Sequence, residues 1–415
     1  MHARRTACKL CRTYLAAGNF RTQAKRGMES KGREIMEEFG IKTSIYFGKN
    51  ALEYLKKLQG AGIFIVTDPF MVESGLVERI TGYLEKDRCT IFSNVVPDPP
   101  LELVIEGVKE VIKHRPDTLI ALGGGSAIDE AKAIMHFSRQ IGNLPDMEFI
   151  AVPTTSGTGS EVTSFAVITD REKGIKYPLV DQSLLPDTAI LDASLVKSVP
   201  KTVVADTGMD VLTHALEAYV SIKANAFTDA LAEKAAVTVL RYLIRSYTSQ
   251  EDFRAREEMH NASCMAGLAF DRTSLGVNHA IAHNIGGKFK VPHGRTNAVL
   301  LPYVVEFNAD MKEFNPRAYT RAAEKYAAIA QLAGIGGGNV RAGVKNLVRE
   351  IRKMQEQMKM PFGFKDCGIL PEEYQKQKDA VAQGALADAC IRTNPREVSR
   401  EDILELLKRA YQGIR

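Results

Sequence analysis

The sequence predicts an α/β Rossmann-like nucleotide-binding domain followed by an all-α metal-binding domain. Three observations predict it. Up to about residue 200, short apolar strands alternate with helical patterns, which argues for a parallel sheet with helices on both faces. Beyond that point helical periodicity takes over, with no strand signal of comparable strength. The 415 residues also exceed one typical hydrophobic core, so two domains are expected.

The elements of the first half follow in order. Ile63–Val66 is a buried strand ending at Thr67 and Asp68, with a helical stretch over 77–84. Thr90–Phe92 is the next strand, and 101–113 the next helix. The strand Thr118–Leu122 runs into Gly123-Gly124-Gly125-Ser126 and a helix over 127–137. Phe149–Val152 closes the series. In the second half, periodicity marks helices over 203–220, 227–247, 255–269, 275–288, 318–332 and 340–358. Pro200 and Pro302 punctuate that run, and Gly334–Gly338 reads as a loop. The expected division is a basic lead over 1–27, an α/β domain over 28–200 and a helical domain over 201–415.

Composition excludes several function classes. At 45% hydrophobic and 25% charged the chain is an ordinary globular protein. No apolar run reaches the roughly 18 residues that a membrane helix needs, so no membrane partner is expected. The formal charge of +5 comes from the lead, where Arg4, Arg5, Lys9, Arg12, Arg21, Lys25 and Arg26 meet no acid. The rest of the chain is slightly negative, which gives no charge bias toward nucleic acid. The lead is read as a disordered or artefactual segment, with targeting or docking as the alternative. Six scattered cysteines are not a disulfide framework and fit a reducing cytosol. Cys8 and Cys11 form a lone pair, a weak zinc or redox motif.

Two loops in the first half are candidates for a nucleotide. In Gly123–Ser126, side-chain-free backbone can approach a phosphate at a helix N-terminus. The alternative is a tight strand–helix turn. Residues 153–161, PTTSGTGSE, carry five hydroxyls and two glycines after another buried strand. Ligands of open α/β sheets collect at such strand ends. Asp68 ends a third strand, where an acid accepts hydrogen bonds from a ribose diol and repels a 2′-phosphate, favouring NAD. A helix cap is the alternative there. This acid precedes the glycine loop, so the nucleotide domain is a variant of the standard topology.

The second half offers metal ligands. Asp210 and His214 stand four apart on one helical face, and His279 and His283 repeat that spacing. His293 follows Pro292 and precedes Gly294, where a loop can bring it back over the site. One carboxylate with imidazoles suits Zn²⁺, Fe²⁺ or Mn²⁺. Five groups are one more than a four-coordinate protein shell needs, so one is left for proton transfer. Spacing does not say which.

Taken together, GGGSAIDEAKAI, PTTSGTGSEVTS, GMDVLTHALEAYVS, GVNHAIAHNIGGKF and PHGRTNAVLLPYVVEFN resemble the iron-containing (group III) alcohol dehydrogenases over roughly 40–400. The resemblance implies a dehydroquinate synthase-like architecture with the active site in the cleft between the two domains. It implies metal ligation by Asp210, His214, His279 and His293, and proton relay through His283. It places Gly124, Gly125 and Ser126 at the pyrophosphate and Thr154, Thr155 and Thr158 around the nucleotide. Asp68 falls on the NAD-selecting acid and Lys176 on a lysine near the adenosine. Asp98 stands where the family often has Asn, which puts a nucleotide contact there in doubt. Stretches such as EVTSFAVITDREKGIKYPL and ALADACIRTNPR resemble the branch that acts on propanol in propanediol-utilisation microcompartments. The implied activity is reversible reduction of a short-chain aldehyde, best propanal, with NADH and Fe²⁺ or Zn²⁺. Other group III substrates, such as lactaldehyde, ethanol or butanol, are the nearest alternatives. A dehydroquinate-synthase-like lyase wants a Lys and Arg cluster, and only Arg295 and Lys288 stand near the ligands. A non-catalytic homologue is opposed by the intact motifs. The implied setting is a cytoplasmic homo-oligomer, a dimer or larger, extending to a microcompartment with its shell or co-enzymes.

Overall fold

The computed structural model describes residues 36, 38–142, 144, 146–172, 175–311 and 319–413. The basic lead with Cys8 and Cys11 lies outside them. Contacts divide the chain into two compact units. One holds the chain up to Thr155 together with Ser160–Leu195, the other Ser156–Gly159 together with Val196 onward.

The first unit contains, in order, β1 (Ser44–Phe47), β2 (Ile63–Thr67), α1 (Pro69–Glu73), α2 (Leu76–Thr81), β3 (Cys89–Phe92), α3 (Leu101–His114), β4 (Thr118–Gly123), α4 (Gly125–Gly142), β5 (Glu148–Pro153), β6 (Phe165–Asp170), β7 (Ile175–Val180) and β8 (Thr188–Leu191). Six strands form one sheet in the order β1-β8-β5-β4-β2-β3, and each pairing is parallel. Every residue of β2 and β4 is buried, as a parallel sheet covered on both faces requires. Alternate residues point to opposite faces. Phe64, Val66, Leu119, Ala121, Phe149 and Ala151 therefore pack in one core with Val104, Val108, Ile128 and Ile134 of α3 and α4. Ile63, Ile65, Ile120, Leu122, Ile150 and Val152 pack in a second core with Leu52, Leu55, Val77 and Ile80.

Four strands go beyond the sequence reading. Strands β1 and β8 are four residues each, too short to display a period. Strands β6 and β7 form a separate antiparallel ladder. Pro178 within β7 argues against a strand by sequence, and a two-stranded ladder tolerates it because an edge can lose one donor. Asp98 has a left-handed backbone, φ 55°. Asn and Asp are the side chains that adopt this region most readily, so backbone geometry accommodates either residue here.

The second unit is helical: α5 (Lys201–Val220), α6 (Ala226–Thr248), α7 (Phe253–Thr273), α8 (Val277–Phe289), α9 (His293–Ala309), α10 (Arg321–Leu332), α11 (Val340–Gln357), α12 (Pro371–Ala387) and α13 (Arg400–Gln412). Side-chain caps start several of them: Asn225 before α6, Asp252 before α7, Asn339 before α11 and Ser399 before α13. Helix α5 is buried over most of its circumference, which makes it the central helix. Among the described residues, no helix is long and apolar enough to cross a membrane.

Two expectations are corrected. His293 is not carried by a loop: it is the first residue of α9, entered from Pro292. Pro302 does not end a helix but lies inside α9. Proline has no N–H, so the carbonyl of Ala298 one turn earlier loses its helical partner. The side-chain amide of Gln355 on α11 donates to that carbonyl at 2.7 Å. A neighbouring helix thus supplies the missing donor, and the proline becomes tolerable.

Candidate functional site

In the helical unit, Asp210 and His214 face the same way from adjacent turns of α5. Helix α8 brings His279 and helix α9 brings His293, and one ligand atom from each of the four residues lies within 4.8 Å of the others. Asp210 Oδ1 is 3.7 Å from Nε2 of both His279 and His293. Gly294 makes this approach feasible. Any side chain there would strike the backbone of Asp206, one turn before Asp210, so α9 can press its first turn onto α5 only with glycine. Asp210, His214 and His279 are buried, whereas the His293 side chain is 43% exposed, which opens the cluster on one side.

A buried polar network orients these groups. Glu217, one turn beyond His214, accepts the N–H of Asn278 at 2.7 Å on one oxygen. Its other oxygen pairs with His279 Nδ1 at 2.5 Å. A carboxylate at Nδ1 holds a proton there, so Nε2, which faces Asp210, is the nitrogen that can ligate once a cation displaces its proton. Asn278 donates to Asn297 Oδ1 at 2.8 Å, and Asn297 donates to Asp210 Oδ1 at 2.6 Å. Burial holds His214 in its neutral form, with the pKa lowered to about 3 despite the Asp210 charge. Burial also opposes ionisation of Asp210, but the surrounding imidazoles outweigh it and hold the carboxylate far below its usual range. Burial pulls His279 down, and hydrogen bonds to Asp210 and Glu217 overcome it, raising the ring to about 9. Sequence reasoning did not find Glu217, Asn278 or Asn297. Glu217 lies one turn past His214 on the same face, and that spacing was the available signal.

His283 stands beside this group rather than in it. Its ring centroid is 5.9 Å from that of His279 and 5.4 Å from that of His293. Its Nδ1 pairs with Asp388 Oδ2 at 2.8 Å.

In the α/β unit, three loops meet at the carboxyl ends of neighbouring strands β2, β4 and β5. Thr67 pairs with Leu122, and Gly123 with Pro153. Asp68 caps α1 by accepting the Met71 N–H at 3.1 Å, and its other oxygen lies against Gly123. Gly124 faces the Thr155 side chain so closely that a Cβ would stand 3.3 Å from it. Gly125 and Ser126 form the first turn of α4, and Thr154 follows β5 with its hydroxyl buried and without a hydrogen-bond partner. The structure thus gathers Asp68, Gly124, Gly125, Ser126, Thr154 and Thr155. Thr158 belongs to the 156–159 segment that clusters with the helical unit. Lys176 lies in β7 opposite Thr169, in the separate two-stranded ladder. The sequence reading also missed a staple behind these loops. The Lys132 ammonium, fully buried on α4, donates to the carbonyls of Thr163 and Phe165 at 2.7 and 2.8 Å. Asp129 accepts from Ser160 Oγ at 2.6 Å and from the Val167 N–H at 2.9 Å.

Residues 42–193 match the family described as iron-containing alcohol dehydrogenase, and residues 204–411 match its C-terminal counterpart, the Fe-containing alcohol dehydrogenase family. The chain belongs to the iron-containing alcohol dehydrogenases. It is 45% identical over 376 residues to the 1-propanol dehydrogenase PduQ of Citrobacter freundii, covering 90% of this chain and 99% of that one. Among solved structures, 1,3-propanediol oxidoreductase superposes with a TM-score of 0.82 at 32% identity, over 91% of this chain and 100% of that one. The sulfoacetaldehyde reductase of Bifidobacterium kashiwanohense, solved with NAD⁺, gives a TM-score of 0.77 at 27% identity, over 91% and 99%. As an iron-containing alcohol dehydrogenase the chain is an NAD-dependent oxidoreductase of alcohols and aldehydes.

The residues fit the family's cation. Bonds of about 2.0–2.2 Å to one ion put ligand atoms about 3.0–3.6 Å apart. The 3.7 Å separations at Asp210 need only slight closure. One carboxylate and three imidazoles without a thiolate suit Fe²⁺ or Zn²⁺. The strand-end loops fit a dinucleotide through the buried, unpartnered Thr154 hydroxyl and the side-chain-free backbone of Gly124.

Proposed function

We propose that this alcohol dehydrogenase interconverts short-chain primary alcohols and aldehydes, with propanal and 1-propanol as its preferred pair. The observation that carries the reading is the convergence of Asp210, His214, His279 and His293. These four would hold Fe²⁺, with Zn²⁺ as the other cation that the donors accept. Gly124, Gly125 and Ser126 would receive the pyrophosphate at the start of α4. Asp68 would accept the ribose hydroxyls and select NAD over NADP. Thr154, Thr155, Thr158 and Lys176 complete the proposed cofactor set. The preference for propanal rests on the likeness to the 1-propanol dehydrogenase PduQ. A cytoplasmic homo-oligomer, dimeric or larger and carried into a microcompartment, belongs to the same proposal.

When bound, the cation supplies Lewis acidity at the substrate oxygen, and the dinucleotide carries the hydride. The chain's own groups do the rest. Glu217 keeps His279 in the ligating tautomer, and Asn297 fixes the Asp210 carboxylate. His283 gives a proton to the new alcohol oxygen and takes it back in oxidation.

The test is an aldehyde panel of two to five carbons with NADH, run anaerobically with Fe²⁺ and separately with Zn²⁺. The expected result is net NADH consumption with the highest kcat/KM for propanal. Equal rates across the panel would remove the propanal assignment. NADH that is not consumed would point to a lyase that recycles its nucleotide, or to a protein without catalysis.

A further inference from the structure

We infer that Asp388 is a positioning residue for proton transfer: it holds His283 in the tautomer that carries its proton on Nδ1 and exchanges protons at Nε2. The inference rests on the reading of His283 as the proton relay.

The pairing is direct, with His283 Nδ1 2.8 Å from Asp388 Oδ2. An ionised carboxylate only accepts, so the imidazole must donate from Nδ1 and keep its lone pair on Nε2. The acid is the less exposed partner: its side chain is 18% exposed against 43% for His283. Burial alone would push Asp388 up, but its hydrogen bonds to His283 and Cys390 hold it below the usual carboxylate range. The second oxygen is also engaged, accepting the Cys390 N–H at 2.8 Å. A carboxylate held at both oxygens has little freedom to turn.

The fold fixes this acid from both sides. Before it, α12 packs on α8 at Gly384, where any Cβ would overlap the amide of Asn284, the residue after His283. After it, the turn Ala389–Thr393 is tied to the start of α8. Thr393 Oγ1 donates to the Leu275 carbonyl at 2.5 Å, and the Val277 N–H donates to Asn394 Oδ1 at 3.2 Å. Asp388 sits between these two anchors, so its distance from His283 is set by helix packing and not by a mobile loop. His283, Asp388 and Cys390 also offer three donor atoms within 4.8 Å. Hydrogen bonds explain that proximity without a second cation. Both carboxylate oxygens are already used, and burial together with the Asp388 charge keeps the Cys390 thiol protonated.

The proton balance closes. In alcohol oxidation, Nε2 accepts the hydroxyl proton, and the imidazolium so formed keeps its Nδ1 hydrogen bond to the carboxylate. In aldehyde reduction, the imidazolium gives that proton to the new alcohol oxygen and is recharged by solvent. Asp388 itself stays ionised throughout, as an orienting acid behind a histidine does.

The test compares wild type, Asp388→Asn, Asp388→Glu, His283→Ala and the double variant His283→Ala/Asp388→Asn, all at matched metal content. A positioned general acid or base contributes about 10²–10⁴-fold, so Asp388→Asn should lower kcat roughly 10–100-fold with aldehyde KM nearly unchanged. Asp388→Glu should recover part of the loss. Adding Asp388→Asn to His283→Ala should cost nothing further, because the acid acts only through that ring. Imidazole ¹⁵N spectra of the zinc-loaded protein should show His283 protonated at Nδ1 in wild type and redistributed in Asp388→Asn. Losses that multiply in the double variant, or an unchanged tautomer, would overturn the inference. Full kcat in His283→Ala would instead remove the relay assignment, and the tautomer spectra would still judge the Asp388 pairing. If Asp388→Asn loses its folding transition, Asp388→Glu carries the same comparison.

Discussion

Glu130 should make this protein less stable as the solution becomes alkaline. It lies on α4 behind the glycine loop, fully buried, and neither carboxyl oxygen has a hydrogen-bond partner. Burial, helped by the Glu106 charge, pushes its pKa from 4.5 up to about 8. The folded protein therefore keeps this proton to a higher pH than the unfolded chain does. Its contribution to stability is greatest below about 4.5 and declines as pH rises toward 8. Linkage between those two values makes the penalty grow by about 3 kcal/mol from roughly pH 5.5 to roughly pH 8.5. Glu130→Gln removes the ionisation and keeps the shape. Urea unfolding of both proteins at the two pH values measures the effect. The variant's advantage should be larger at the higher pH by a difference on the order of 3 kcal/mol. Any fixed cost of burying the amide cancels in that comparison. A variant whose advantage does not change with pH would refute the argument.

Other consequences are as direct. Glu217→Gln should weaken cation binding about 10–100-fold, read by competition with a chelator, because the amide no longer fixes the His279 tautomer. Gln355→Ala should destabilise the helical unit by about 1–3 kcal/mol, since the Ala298 carbonyl then has no donor, and a lowered denaturant midpoint checks it. Asp68→Gly should raise kcat/KM for NADPH relative to NADH. It should also cost about 0.3 kcal/mol through the lost α1 cap, seen as a small shift in a parallel melt.

Much of the fold was legible because its signals are local. Unbroken apolar runs such as Ile63–Val66 have few solutions other than a buried parallel strand. The long helices declared themselves by period and by caps such as Asn225. What stayed hidden depends on partners distant in sequence. Helix α9 was missed because its proline is excused only by Gln355, more than fifty residues away. The short strands β1 and β8 exist through pairing, β8 lying between β1 and β5. Of the four clustered donors, Asp210, His214 and His279 showed in repeated spacings, whereas the choice of His293 over His283 came from the family resemblance. The Asp388 pairing was not, since nothing local links a residue after α12 to the ring of His283 on α8. Likewise, the staple at Lys132 acts on carbonyls, which no side-chain pattern displays.

The answer that Gln355 gives to Pro302 has an evolutionary corollary. A carbonyl has two lone pairs, so a glutamine can arrive while the ordinary helical bond is still in place. Proline arriving first would strand the acceptor. The two positions should therefore have been acquired in that order, and once both are present neither can drift alone.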